Sequence, residues 1–121
     1  MDDRLKAALD FSNYRQTLTI QRKQLKEKID AKMTYGHNGG IFKIDRSLIN
    51  FVQLLIDSER IEEVPLLDSN DTPILIKNMN EFKEEILDRY FTAVYEYYEQ
   101  HETLKKSRSV EKLLDLWKTD A

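Results

Sequence analysis

Between Asp3 and Met33 the chain has neither glycine nor proline, and Phe11, Tyr14, Leu18, Leu25 and Ile29 recur at steps of three, four and seven. That spacing predicts one long helix with a narrow apolar stripe, broken by a polar gap at Gln21 and Arg22. Leu5, Ala8 and Leu9 carry apolar character toward the N-terminus. At 1.5 Å per residue, about 30 residues predict a rod on the order of 45 Å, which overhangs any core a chain this size can build. A second long helix is predicted from 79 to 106, capped by Asn78 with Glu81 in the reciprocal capping-box position. Along it Phe82, Ile86, Tyr90, Val94, Tyr97, His101 and Leu104 make one seam. Leu87, Phe91, Tyr95 and Tyr98 widen that seam past half the circumference, more than one partner helix covers.

Shorter patterns fill the middle and the end of the chain. Asp45 is a good N-cap for a helix over 46–58, whose Leu48, Ile49, Val52, Leu55 and Ile56 share one face and predict the center of the core. The run VPLLDSNDTPILI, residues 64–76, sets two β-prone segments around Asp68 to Asp71 and predicts a hairpin. Pro65 and Pro73 lack an N–H and belong at strand starts or edges. Residues 41–44 supply a further short strand, giving a small sheet of two or three strands. Ser109 can cap a last helix over 109–118 with an apolar face of Val110, Leu113, Leu114 and Trp117.

Charge then relates the two long helices. Arg22, Lys23, Lys26, Lys28 and Lys32 outnumber Glu27 and Asp30, whereas residues 81–102 carry seven acidic side chains against Lys83 and Arg89. Opposite signs favor adjacency. The expectation is a mainly α chain of the α+β class, in which two long antiparallel helices form a helical hairpin. A small head of one short helix and a two- to three-stranded antiparallel sheet caps it. The chain reads as a single domain over 1–121: long helix 1–35, α/β head 36–78, long helix 79–106 and short helix 109–118.

Composition excludes several classes. Without cysteine there is no disulfide scaffold and no thiolate metal site, a usage that suits a reducing compartment. No stretch approaches the roughly 20 apolar residues of a bilayer span, and the charged start Met1-Asp2-Asp3-Arg4 is unlike a secretory signal. The protein is expected to have no membrane partner and to stay where it is made. A net charge of −3 gives no global attraction to nucleic acid.

Four patches invite chemistry. The stretch YGHNGG, residues 35–40, holds all three glycines, but a helix precedes it and no Gly-Lys-Ser/Thr follows, so it reads as a helix end at Thr34 or Tyr35, with Gly36 at positive φ, and a turn. His37 has no second ligand at metal spacing and reads as an exposed turn residue. A calcium loop from Asp68 through Asn70 and Asp71 fails at its sixth and twelfth positions, Pro73 and Met79, leaving the turn reading. His101, with Glu102 beside it and Tyr97 and Tyr98 a turn back, could serve as a base, yet no nucleophile is placed by spacing. No catalytic, cofactor or metal residue is expected, nor a small-molecule substrate. Aromatics beyond what a core can bury mark interfaces instead, and Tyr90, Phe91, Tyr95, Tyr97, Tyr98, Val110, Leu114 and Trp117 are the predicted protein-binding residues. Arg22, Lys23, Lys26 and Lys28 are the alternative, a basic stripe for nucleic acid.

The stretches DRLKAALDFSNYRQTL, GGIFKIDRSLINFVQLLID and YFTAVYEYYEQHETLKKSRSVEKLLDL resemble small proteins encoded by T4-like tailed phages of marine bacteria. The likeness spans nearly the whole chain but contains no catalytic or ligand motif, so it transfers no site residue. It implies a viral protein made in a bacterial cytoplasm, with a part in virion structure or assembly. The expected function is therefore a non-enzymatic, homo-oligomeric interaction protein that binds itself and other phage proteins. The alternative is a small phage regulator of a host or phage replication or transcription component.

Overall fold

A computed structural model describes residues 2–107. Its elements, in chain order, are α1 (Asp3–Lys32), β1 (Thr34–His37), β2 (Gly40–Lys43), α2 (Arg46–Asp57), β3 (Glu62–Leu67), β4 (Pro73–Asn78) and α3 (Met79–Lys106). The helix expected over 109–118, and with it Val110, Leu114 and Trp117, lies outside the described residues. Among the described residues no helix is long and apolar enough to cross a membrane.

The expected helical hairpin with a small head is not what the chain forms. Three helices accompany two separate two-stranded antiparallel sheets, β1–β2 and β3–β4, rather than one sheet of two or three strands. The chain divides into two compact units, and the divisions fall inside both long helices, at Lys28/Ile29 and Tyr95/Glu96. The physical reason is where the burial lies. On α1 the predicted stripe is buried at Leu25 and Ile29, while Phe11 is 61% exposed; Ile29, Met33, Met79, Phe82 and Ile86 pack in the unit that holds the strands.

That unit, Ile29–Tyr95, is built from two hairpins. In the first, Thr34 faces Lys43 and His37 faces Gly40, leaving Asn38-Gly39 as a two-residue loop. Asn38 (φ 48°) and Gly39 (φ 84°) both take the left-handed region, the pair a type I′ turn requires and the one whose twist matches paired strands. The stretch read as a helix end is thus mostly strand: α1 stops at Lys32, and Gly36 sits in β1 opposite Ile41 instead of turning the chain. In the second hairpin Val64, Leu66 and Leu67 face Ile76, Ile74 and Pro73. Pro65 and Pro73 are tolerated because each strand of a two-stranded sheet is an edge.

Asp68 ties the hairpins together. Its carboxylate accepts the N–H of Asn70 and of Thr72, each at 2.9 Å, within its own loop, and the N–H of Ile41 in β2 at 3.0 Å. Ser69 adds an N–H to the Ile41 carbonyl at 2.9 Å. The aspartate thus acts as a turn template, its oxygens taken up by backbone donors. The Ile41 N–H foremost, then that of Thr72, with a lesser part from Asn70, hold the carboxyl below its ordinary value of 3.8, against an opposing effect of burial that exceeds the Asn70 contribution alone. A depressed carboxyl favors folding above its unfolded value, and that contribution is lost as pH falls through the folded value. The wild-type urea midpoint should therefore drop more steeply below about pH 4 than that of Asp68→Asn, which starts lower at pH 7. Parallel pH profiles of the two proteins would refute this role.

Of the three predicted caps, the two within the described residues, Asp45 and Asn78, are present. Asp45 accepts the Leu48 N–H at 2.8 Å, and Asn78 Oδ1 accepts those of Asn80 and Glu81 at 2.9 and 3.2 Å. The center of the core, however, is not α2. Of its residues Val52 is buried, Leu48, Ile49, Leu55 and Ile56 are half-buried, and Phe51 and Leu54 face solvent. Each hairpin sends an inward row to the middle, Phe42 and Ile44 from β2 with Leu66, Ile74 and Ile76 from the other, and α3 meets them with Met79, Phe82 and Ile86. Strand alternation fills the center first, so the short helix covers it along a single line.

The other described unit comprises residues up to Lys28 and those from Glu96 onward. Leu25 and Leu104 are buried in it, Lys28 Nζ lies 3.6 Å from Glu96, and the Tyr14 hydroxyl donates to the Ser107 carbonyl. Toward the N-terminus Leu5, Leu9 and Phe11 are exposed.

Candidate functional site

A cleft of about 460 Å³ opens in the strand-containing unit between β1, β4 and the first turns of α3. The I′ turn is what makes it: by fixing β1 as a strand it puts Tyr35 and His37, two residues apart, on one face. Their rings pack at 5.6 Å, and both meet Phe82 of α3, at 6.1 and 5.2 Å, the latter edge-on. Phe82 is buried and in turn touches the core ring of Phe42 at 5.2 Å. Leu75, Ile76, Lys77 and Asn78 form the second wall, and Glu81 and Glu85, one helical turn apart, form the third.

Electrostatics within this group are already organized. The Arg89 guanidinium stacks 4.3 Å over the Tyr35 ring while its Nε donates to Glu85 at 2.7 Å. The Tyr35 hydroxyl is hydrogen bonded to His37 Nδ1 at 3.0 Å. Burial, with Glu85 adding and Arg89 opposing, pushes the Tyr35 hydroxyl above its ordinary value, so it remains a neutral O–H at physiological pH. The lining combines aromatic faces with carboxylates. Among the described residues no group of three or more His, Asp or Glu side chains is placed to hold a metal.

The residues singled out for protein binding fall into two sets. Phe91 and Tyr95 are 50% and 67% exposed; the Phe91 ring is tilted against Tyr95 and edge-on to Tyr90. Tyr98, in the other unit, is 63% exposed. Tyr90 and Tyr97 are half-buried, and the Tyr97 ring lies tilted 6.1 Å from that of His101. Ala93, not Val94, is the buried residue of that turn. Of the basic stripe, Arg22, Lys23 and Lys26 are exposed and in no ion pair among the described residues, whereas Lys28 is half-buried and engaged with Glu96.

Reading the sequence as a turn missed Tyr35, Phe82, Glu85 and Arg89 as one cluster. The signal was present in Asn38-Gly39, which dictates a two-residue hairpin and therefore a strand on either side. The chain matches no family model, no curated protein and no solved structure.

Proposed function

We propose that the protein acts by binding other protein chains, further copies of itself first, and catalyzes no reaction. The carrying observation is the face of α3 in the strand-containing unit on which Glu84, Asp88, Phe91 and Tyr95 follow at helical spacing, all exposed. Two aromatic rings half or more in water are a cost a monomer gains nothing from, and rigid aromatics rimmed by charge are what interfaces bury. A second copy supplies a complementary surface: α1 exposes Arg22, Lys23 and Lys26 beside Ile20, itself 57% exposed. Acidic-aromatic against basic-apolar is a pairing that two identical chains can make. The resemblance to proteins of T4-like phages supports the finer reading, a component of a tailed-phage particle or its assembly intermediates in the bacterial cytoplasm.

Light scattering coupled to size exclusion, at low and high salt, is the test. The expected result is a discrete oligomer that persists in high salt, because apolar burial is insensitive to screening. Phe91→Ser with Tyr95→Ser should weaken it by about 2 to 4 kcal/mol, roughly 30- to 700-fold in dissociation constant, with the fold unchanged by circular dichroism. A clean monomer at micromolar concentration in both buffers would sink the reading. It would turn attention to the second one, nucleic acid on the exposed Arg22, Lys23 and Lys26, for which salt-sensitive retention lost on charge reversal is the signature.

A further inference from the structure

The cleft of Tyr35, His37, Phe82, Glu81 and Glu85 plays no part in the proposed self-association. We propose that it is a binding site for a guanidinium or ammonium group, presented as the arginine or lysine side chain of a peptide.

Three observations support this. First, the wall is aromatic on two elements: the three rings touch one another within 5.2 to 6.1 Å, and the inner one, Phe82, is buried while Tyr35 and His37 keep partly open faces. Such faces carry negative potential and attract cations. Second, Glu81 and Glu85 line the opposite side with Lys77; Arg89 already occupies Glu85, which leaves Glu81 as the carboxylate of the lining in no ion pair among the described residues. Third, the protein holds a cation of its own in this manner. Arg89 lies 4.3 Å over the Tyr35 ring with its Nε on Glu85 at 2.7 Å, a guanidinium between an aromatic face and a carboxylate. The cleft repeats both ingredients beside it, with Glu81 as the second carboxylate and His37 and Phe82 as the second aromatic edge. Leu75, 45% exposed, adds apolar surface suited to the methylene stem of an arginine or lysine. An anion would face the Glu81 carboxylate, and an uncharged apolar group would leave that carboxylate unmatched.

The test uses the full chain and nitrogen-15 NMR titration with three probes: an Ac-Gly-Arg-Gly amide peptide, the same peptide with citrulline in place of arginine, and methylguanidinium chloride. The arginine peptide should saturate with a Kd on the order of millimolar, the scale of one exposed cation–π contact with charge assistance. Shifts should center on the amides of Tyr35 to Asn38 and Lys77 to Glu85. The citrulline peptide, nearly isosteric but neutral, should bind at least fivefold more weakly. Glu81→Gln, an exposed and conservative change, should weaken the arginine peptide about three- to fivefold, in keeping with one surface charge contact. Methylguanidinium binding as well as the peptide would identify the source as a free small cation; clear preference for the peptide would identify a side chain of a partner. Equal binding of arginine and citrulline peptides, or shifts that avoid the cleft, would overturn the proposal. These outcomes are independent of whether the chain self-associates, since Phe91 and Tyr95 do not line the cleft.

Discussion

Phe42→Ala is expected to lower the free energy of unfolding by about 3 to 5 kcal/mol, read as a shift in urea midpoint at unchanged slope. Phe42 is 1% exposed and meets the Phe82 ring at 5.2 Å, so truncation removes an aromatic pair and leaves a cavity that Ile44, Ile76 and Ile86, all fully buried, cannot collapse into without moving strands and helix together. A chain of this length has a total stability on the order of 6 to 18 kcal/mol, so the variant loses a large share of it. Phe11→Ala is the control. That ring is 61% exposed, and its loss should stay within about 0.5 kcal/mol. A Phe42→Ala cost below 1 kcal/mol, or equal costs at the two positions, would show that the core is not where the hairpins put it. Because Phe82 backs the cleft, Phe42→Ala should also weaken arginine-peptide binding even where the protein remains folded.

Gly40→Ala should cost about 1 to 3 kcal/mol, the range for forcing extra atoms into a packed interior. The reason is not the backbone angle but space. A Cβ at Gly40 would stand 2.5 Å from Ile74 Cγ1, 2.8 Å from its Cδ1 and 3.3 Å from Asp68 Oδ2. Ile74 is buried in the second hairpin and Asp68 is committed to three backbone donors, so neither yields freely. The clash should be relieved in part by Ile74→Val, which removes Cδ1. The double variant is expected to be more stable than the sum of the two single losses predicts, by about 0.5 kcal/mol or more. Strict additivity would mean the two hairpins do not meet at Gly40. By contrast Gly36 has open surroundings, where an added Cβ would come no nearer than 4.0 Å to the Gly40 carbonyl, and alanine there should be tolerated.

Local signals were legible where a single residue's chemistry decides the backbone. Asp45 and Asn78 cap their helices because a side-chain oxygen at that position satisfies N–H groups no helix can pair internally, whatever surrounds it. The long glycine- and proline-free runs became α1 and α3 within a few residues of the expected bounds. Asp68 made its turn as an aspartate does, and the prolines of the second hairpin sit on edges. Between Thr34 and His37 the glycine suggests a helix stop, but the Asn38-Gly39 pair overrides it by closing a two-residue loop that needs a strand on either side. Gly36 in a strand looks like a helix stop until the two-residue loop after His37 is recognized.

The candidate site was harder to see. Tyr35 and His37 stand 40 or more residues before Lys77, Glu81, Phe82 and Glu85, and no local pattern announces that they meet. Nor does helical spacing tell which half of a broad apolar arc is covered: Ala93 is buried where Val94 was expected, and Phe91 and Tyr95 remain in water.

By itself, then, the sequence determined the helices, their caps, the two hairpin turns and the surplus of aromatic surface, since these rest on residue spacing and on groups that bond to their own neighborhood. Tertiary structure alone decided that the hairpins form two sheets instead of one, that the core centers on Phe42, Ile76 and Ile86 rather than on α2, and that aromatic and acidic side chains from β1 and α3 line one cleft with β4. Each of those outcomes depends on which inward-facing rows interlock, a property of pairs of distant segments that no single stretch of chain encodes.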